Sequence, residues 1–215
     1  EEENLRPLMQ KIQETMAAYS RPYEVIFIDD GSTDGSMGML RELHAAHAQV
    51  KVIQFRRNFG QTAAIRAGIE AATGELIVTM DGDLQNDPAD IPKLLTKLDE
   101  GYDVVSGWRF DRQDSFFKKF ISRGANLLRK LIINDQIHDS GCSLKAYRRE
   151  CMEGLRLYGE MHRFIPALVQ LKGFKVTEVK VNHRPRKYGK TKYTMKRTLN
   201  GFLDMLVLKF WMSYS

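Results

Sequence analysis

The first half of the chain alternates short apolar runs with amphipathic segments, and this alternation restricts the fold most strongly. The segment 4–19 begins it, with Leu5, Leu8, Ile12 and Met16 on one helical face. The runs that predict buried strands are 24–28, 50–55, 75–80 and 102–106, and the intervening helices cover Met39–Leu43, 60–72 and 90–99. Because strands that alternate with helices form parallel sheets with helices on both faces, the sequence predicts an α/β fold with a mostly parallel sheet.

Two of the predicted strands end in acidic turns. Asp29-Asp30-Gly31 follows the first strand, and Asp81-Gly82-Asp83 follows the third. Right-handed crossovers place the carboxyl ends of parallel strands at one edge, where open α/β sheets bind ligands. Two carboxylates around a small residue suit a hard divalent cation that also holds ligand phosphates. Asp and Gly are also common turn residues, so Asp81 and Asp83 alone fit a turn and a metal site equally well.

The second half of the chain is more basic and less regular. Its predicted elements are a helix over 116–132, a strand over 143–147, a helix over 164–171, a strand over 175–181 and a helix over 194–212. Residues 184–197 contain seven Lys or Arg side chains and no acidic residue. Within them, Gly189 separates the cations Arg186 and Lys192, which suits either a clamp over phosphate or a basic surface loop.

The predicted last helix has a wide apolar face. Leu199, Phe202, Leu206 and Phe210 share that face, while Asp204 and Lys209 interrupt it, so the helix does not span a bilayer. It fits a helix in the membrane interface and a helix packed on the domain about equally. We therefore divide the chain into a domain over 1–193 and an amphipathic helix over 194–215. A sheet of this kind usually opens with a strand, so we expect one upstream of Glu1.

Composition narrows the class of partner. The net charge of +6 favours an anionic partner, whether a nucleotide, a nucleic acid or a membrane surface. The chain contains neither a Gly-x-Gly-x-x-Gly motif after a first strand nor a Walker-type Gly-Lys-Ser/Thr motif, which disfavours dinucleotide and P-loop sites. Cys142 and Cys151 form neither a disulfide framework nor a metal knuckle.

Several other polar residues permit two interpretations each. Gln85 suits either a ligand hydrogen bond or a turn cap, and Asp139 suits either a carboxylate facing the pocket or a turn residue. Arg109 and Arg123 suit phosphate recognition or a solvated helix face. The residues alone leave these alternatives open.

Taken together, the motifs resemble those of a known family. In order they are Ile28-Asp-Asp-Gly-Ser32, Asn58-Phe-Gly-Gln61, Asp81-Gly-Asp-Leu-Gln85, Ser106-Gly-Trp-Arg109, Ser122-Arg123, Asp139-Ser-Gly-Cys142 and Arg186-x-x-Gly-x-Thr-Lys192. This set resembles the family 2 glycosyltransferases of the GT-A fold. Within that family it is similar to the polyprenyl-phosphate glycosyltransferases, including dolichol-phosphate mannose synthases and bacterial undecaprenyl-phosphate glucosyl and aminoarabinosyl enzymes. The resemblance covers essentially the whole chain, and it implies that the helix over 194–215 is an amphipathic juxtamembrane helix.

The resemblance implies a role for each matching residue. Those expected to bind the nucleotide sugar are Glu1, Ile28, Asp30, Asp81, Gly82, Asp83, Gln85 and Arg109. Those expected to bind the phosphates of donor and lipid acceptor are Arg109, Arg123, Arg186 and Lys192. Asp81 and Asp83 would hold Mg²⁺ or Mn²⁺, and Asp83 and Asp139 are the candidate catalytic residues.

The implied reaction is an inverting transfer of a hexose from a nucleotide diphosphate sugar to undecaprenyl or dolichyl phosphate, at the cytoplasmic face of the membrane. UDP-glucose is the first choice of donor, followed by mannose and aminoarabinose donors. A lipid phosphate oxygen is already anionic near pH 7, so a strong general base is less needed. No nucleic-acid partner is expected, and a homo-oligomer is compatible with the sequence. The non-enzymatic alternative is a basic module that binds lipid or nucleic acid.

Overall fold

The computed structural model describes residues 1–110, 137–155 and 157–186, together with 203–204, 206–207 and 209–210. The described strands are β1 (Val25–Asp29), β2 (Val50–Gln54), β3 (Leu76–Thr79), β4 (Val104–Trp108), β5 (Lys145–Arg148) and β6 (Val176–Lys180). The described α-helices are α1 (Glu2–Tyr19), α2 (Ser36–Ala46), α3 (Gln61–Ala71), α4 (Ile91–Asp99), α5 (Arg149–Met152) and α6 (Ile165–Leu171). Two 3₁₀ helices, Pro88–Asp90 and Met161–Phe164, precede α4 and α6.

The strands form two hydrogen-bonded sheets. β1 pairs in parallel with β2, and the second sheet has the order β3-β5-β4-β6. β4 and β6 are parallel, but β5 is antiparallel to both β3 and β4. Three of the four strands in the second sheet, β3, β4 and β6, therefore run in the same direction, as a mostly parallel sheet predicts, and β5 is the exception. The physical reason lies at the carboxyl end of β4, where residues 137–144 lead into β5. A strand that starts beside the end of its neighbour must run in the opposite direction.

Helices cover both faces of the four-stranded sheet, as predicted. On one face Val105 and Ala146 pack in a cluster with Leu94 and Leu98 of α4 and with α1. On the other face Val104 and Tyr147 pack with the α6 side chains of a second cluster. Successive residues of each strand alternate between the two clusters, which is the period of a sheet buried on both sides.

The β1–β2 pair has its own core against the first two helices. Leu5 and Met9 of α1 meet Leu40 and Leu43 of α2 over Val50 of β2. These side chains lie at helical spacing on each helix, so one apolar face of each helix is buried. This packing holds β1 and β2 against the two helices, and the first acidic turn follows β1.

The strands and helices predicted within the described residues are confirmed, with boundaries displaced by one or two residues in most cases. The predicted helix over 116–132 lies outside the described residues. Of the predicted last helix, the six described residues are helical, and the rest lies outside them. Within the described residues, no helix combines the length and apolar character needed to cross a bilayer.

Candidate active site

Asp81 and Asp83 lie in the loop that follows β3, and neighbouring polar groups hold this loop in place. The Asp81 amide donates to Ser143 Oγ at 3.2 Å, and Asn86 Nδ2 donates to the same oxygen at 2.9 Å. Asn86 also forms an isolated bridge with His183. The loop is therefore anchored on the start of β5 and on the segment after β6, so the two carboxylates are presented by a fixed backbone.

Asp83 is a buried residue, and both of its carboxylate oxygens accept hydrogen bonds. Its Oδ1 accepts the Gln85 amide at 3.1 Å, and its Oδ2 accepts Arg186 Nη2 at 2.7 Å. Burial raises the pKa of the Asp83 carboxyl above its usual range, and the nearby Asp81 charge raises it further, against the opposing effects of Gln85 and Arg186. Asp83 thus lies where an additional cation would stabilise its ionised form.

Gln61 connects the second acidic turn to the start of α3. Its Nε2 donates to Asp81 Oδ1 at 2.7 Å. The turn before Gln61 is fixed by Asp30, whose carboxylate accepts the amides of Phe59 at 2.6 Å and Gly60 at 2.9 Å. Gly60 has a φ of 92°, which favours glycine. Gln61 and Asp81 are twenty residues apart in the sequence. The sequence signal for their contact was the position of Gln61 after a predicted strand.

Asp30 and its neighbour Asp29 have different surroundings. Both Asp30 oxygens accept backbone amides, whereas Asp29 Oδ1 accepts the Ser32 amide at 3.1 Å and Asp29 Oδ2 has no hydrogen-bond partner among the described residues. Asp29 is 4% exposed. A buried carboxylate oxygen without a donor is costly, so this oxygen suits a ligand N–H or O–H group. The predicted site residues included Asp30 and omitted Asp29.

Arg109 and Asp139 form a bidentate ion pair. Arg109 Nε donates to Asp139 Oδ2 at 2.7 Å, and Nη2 donates to Oδ1 at 2.9 Å. Burial pushes the pKa of Asp139 upward, but the Arg109 hydrogen bonds and charge outweigh it and leave that pKa below its usual value. For Arg109, burial lowers the pKa, but the hydrogen bonds and charge of Asp139 outweigh burial and raise that pKa overall. Asp81 makes a smaller contribution in the same direction. Both groups are therefore charged at neutral pH.

Lys145 lies beneath the loop that carries Asp139. Its Nζ donates to Ser140 O at 3.2 Å and also to Cys142 O. Burial lowers the pKa of the Lys145 ammonium group. Two backbone carbonyls thus satisfy a fully enclosed amine, which holds the 139–142 loop against β5.

The remaining predicted site residues fall into three groups. Glu1 joins the crevice because its Oε1 accepts Arg186 Nη1 at 2.8 Å. Gln85 contacts Arg184 through its backbone and its side chain. Ile28 packs against Gly68 of α3, and the space beside Gly82 is open, since a Cβ there would meet no neighbour. Arg123 and Lys192 lie outside the described residues. The ligand contacts assigned to all these residues stay predictions.

The carboxylates fit a divalent cation that has further ligands of its own. Among the described residues, no group of three or more His, Cys, Asp and Glu side chains is arranged to hold a metal ion. Mg²⁺ in phosphate-transfer sites commonly uses one or two carboxylates, and water and substrate phosphate complete its coordination. Asp81 and the buried Asp83, whose pKa is raised, match that arrangement.

Residues 1–156 match the family described as Glycosyl transferase family 2. The chain belongs to this family. It is 42% identical, over 219 aligned positions, to a dodecaprenyl-phosphate galacturonate synthase from Rhizobium johnstonii, and the match covers all of this chain. The chain spans 65% of the length of that synthase. The predicted resemblance to family 2 glycosyltransferases is confirmed.

Solved structures support the same architecture. A mannosyltransferase from Pyrobaculum calidifontis, in complex with GDP-Man and Mn²⁺, superposes with a TM-score of 0.62 at 20% identity, over 88% of this chain and 55% of that one. The glucosyl-3-phosphoglycerate synthase of Mycobacterium tuberculosis, in complex with Mn²⁺, UDP-glucose and phosphoglyceric acid, gives a TM-score of 0.54 at 17% identity, over 82% and 76%. At these identities the likeness concerns the fold, and it confirms the α/β GT-A architecture.

Proposed function

We propose that this chain transfers a sugar from a nucleotide diphosphate donor to a polyprenyl phosphate. The observation that carries the proposal is the crevice in which Asp83 pairs with the cationic Arg186 and Asp81 accepts a hydrogen bond from Gln61. Such a site can hold a diphosphate through a cation on one side and guanidinium groups on the other. The name of the Rhizobium synthase supports a polyprenyl phosphate as the acceptor.

Asp81 and Asp83 are the residues that would hold Mg²⁺ or Mn²⁺ in this proposal. When bound there, the metal ion neutralises charge that develops on the leaving diphosphate. The chain itself supplies orientation: Gln61 and Ser143 fix Asp81, while the Gln85 amide fixes Asp83. Fixed carboxylates contribute to catalysis because they need not rearrange when the donor reacts.

Asp139 orients Arg109 in this mechanism and does not remove a proton. Its pKa is lowered by the pair, which makes it a weak base. No strong base is needed, because the acceptor phosphate already carries its charge. Arg109, Arg186, Arg123 and Lys192 would offset the repulsion between the two anionic substrates, and the reaction is a direct displacement with inversion.

Asp29 is our candidate for the nucleoside part of the donor, in addition to the predicted Asp30. The support is the buried Asp29 Oδ2, which has no donor among the described residues. A base N–H or a ribose hydroxyl would satisfy that oxygen. Asp30 already fixes the turn before α3, so its contribution is to shape this pocket.

The name of the similar Rhizobium synthase supports galacturonate as the sugar that this chain transfers. The sequence-based choice was glucose from UDP-glucose, with mannose and aminoarabinose as alternatives. Unlike these sugars, galacturonate carries a carboxylate, and a buried carboxylate needs a nearby cation or hydrogen-bond donor. We therefore propose a hexuronate donor first and UDP-glucose second.

Membrane association is part of the proposal because the acceptor is a lipid. Leu203, Leu206, Val207 and Phe210 are exposed and lie at the i, i+3, i+4 and i+7 spacing of one helical face. Exposed apolar stripes of this kind bind membranes or other proteins. We propose that this face lies on the bilayer surface, as expected for the predicted juxtamembrane helix.

A donor screen by thermal shift tests the proposed donor class. The panel contains nucleotide-activated galacturonate, glucose, mannose and aminoarabinose, each with and without Mn²⁺. Because a ligand that binds only the folded state raises the melting temperature, the true donor should raise it more in the presence of Mn²⁺. A panel in which no nucleotide sugar changes the melting temperature would contradict the proposed function.

A further inference from the structure

Arg186 bridges two carboxylates of the candidate active site. Its Nη2 lies 2.7 Å from Asp83 Oδ2, and its Nη1 lies 2.8 Å from Glu1 Oε1. The Asp83 side chain is 7% exposed and that of Arg186 is 26% exposed. The guanidinium group is thus a cation already placed on one of the two carboxylates that are expected to hold the metal.

The backbone before Arg186 holds this cation in place. The Arg184 amide donates to Gln85 O at 2.8 Å, and His183 forms a bridge with Asn86. Arg184 also forms an ion pair with Asp87. The segment that carries Arg186 is therefore fixed to the same loop that carries Asp83. Because both ends of the ion pair belong to one anchored unit, the contact is built into the local structure.

The two metal-binding carboxylates have donors of different charge. Asp81 Oδ1 accepts from the neutral amide of Gln61, whereas Asp83 Oδ2 accepts from a guanidinium group. A neutral donor orients a carboxylate and leaves its charge available to a metal. A guanidinium group compensates that charge and repels a second cation at the same oxygen.

We propose that Arg186 is an internal competitor of the divalent metal, which must displace its guanidinium group from Asp83 in order to bind. This inference rests on the proposed function, since it takes Asp81 and Asp83 as the metal ligands. It gives Arg186 a role in setting metal affinity, which is separate from the phosphate contact predicted for it. The exchange transfers no atoms between groups; one cation replaces another at Asp83 Oδ2.

Mn²⁺ titration by isothermal calorimetry, without nucleotide or lipid and at low ionic strength, tests the exchange. The variants are Arg186→Gln, which removes the competing charge, and Arg186→Lys, which retains it. Arg184→Gln is the matched control, because it removes a cation two residues away that pairs with Asp87. Melting temperatures verify that each variant is folded.

The proposal predicts that Arg186→Gln binds Mn²⁺ at least about threefold more tightly than the wild type, as expected when a partly exposed ion pair no longer competes. Arg186→Lys and Arg184→Gln should both stay close to the wild-type affinity. If the wild type binds Mn²⁺ and Arg186→Gln binds it no more tightly, the exchange is wrong while the proposed function stands. If no variant binds Mn²⁺, the metal site and the exchange are both wrong.

Discussion

At the scale of single residues, the Arg109–Asp139 pair is a largely buried contact beside the crevice. Two parallel hydrogen bonds join the groups, and their side chains are 13% and 16% exposed. Removing one partner of such a pair leaves a poorly solvated charge behind. The pair should therefore contribute to stability as well as to the position of the guanidinium group.

Asp139→Asn should lower the free energy of unfolding by about 3 kcal/mol at pH 7, the usual cost of breaking a buried ion pair. Urea denaturation measures this loss. The matched control is Asp99→Asn, because Asp99 pairs with Arg21 at an exposed position and should change stability by less than about 1 kcal/mol. Equal effects of the two substitutions would contradict the assigned role of the buried pair.

The pH dependence of that loss has a definite sign. The pKa of Asp139 is lower in the folded chain than its usual value, so the pair stabilises the fold above the unfolded carboxyl pKa of about 4. This contribution is lost as the pH falls through the folded value. The stability difference between wild type and Asp139→Asn should therefore shrink below about pH 4. A difference that stays constant to pH 3 would contradict the ion pair.

The pairing of these residues could not be read from the sequence. Arg109 and Asp139 were each identified as candidates, but with separate roles, on a phosphate and at the reacting centre. Thirty residues separate them in the chain, and only the entry of β5 beside the end of β4 brings their loops together. Gln61 and Asp81 are a similar case, since their contact depends on how α3 docks.

At the scale of elements, the last described helical residues are attached to the body of the chain through Asp204. Its Oδ2 accepts the Glu160 amide at 2.6 Å. The neighbouring Gly159 has a φ of 51°, and a Cβ there would lie 2.5 Å from the same oxygen. Thr62 of α3 donates to Gly159 O at 2.6 Å. This loop thus connects the helix that carries Gln61 with the exposed apolar face.

Asp204→Ala should increase amide hydrogen exchange at Glu160 by about tenfold, because a hydrogen bond to a charged group contributes on the order of 1.5 kcal/mol. Exchange followed by mass spectrometry or NMR measures this local opening. Asp204→Asn is the matched control, since its side-chain oxygen still accepts the amide. Unchanged exchange at Glu160 in the alanine variant would show that Asp204 does not hold this loop.

Local sequence patterns were sufficient for the elements and insufficient for the direction of one of them. The segment 143–147 was correctly predicted as a strand, yet its residues suit a parallel or an antiparallel neighbour. The direction of β5 follows from where the preceding loop returns to the sheet. That return is a long-range property, so periodicity could not supply it.

At the scale of the whole molecule, the exposed apolar face should bind membranes. Phe210→Asp should reduce binding to vesicles that contain anionic lipid by about tenfold, because burial of a phenyl group contributes roughly 1.5–3 kcal/mol. Vesicle co-sedimentation measures the binding. Leu171→Asp is the control, since Leu171 is 54% exposed at the end of α6. Equal losses from both substitutions would contradict a specific membrane-facing surface.

The central claim is that Asp81 and Asp83 support metal-dependent sugar transfer to a polyprenyl phosphate. Mass spectrometry of the lipid fraction tests it directly, after incubation of the chain with the donor identified by the screen, undecaprenyl phosphate and Mn²⁺. We expect a glycosylated lipid phosphate with wild type, and none after metal chelation or with Asp83→Asn, whose melting temperature verifies that it is folded. Undiminished product from folded Asp83→Asn would contradict the claim.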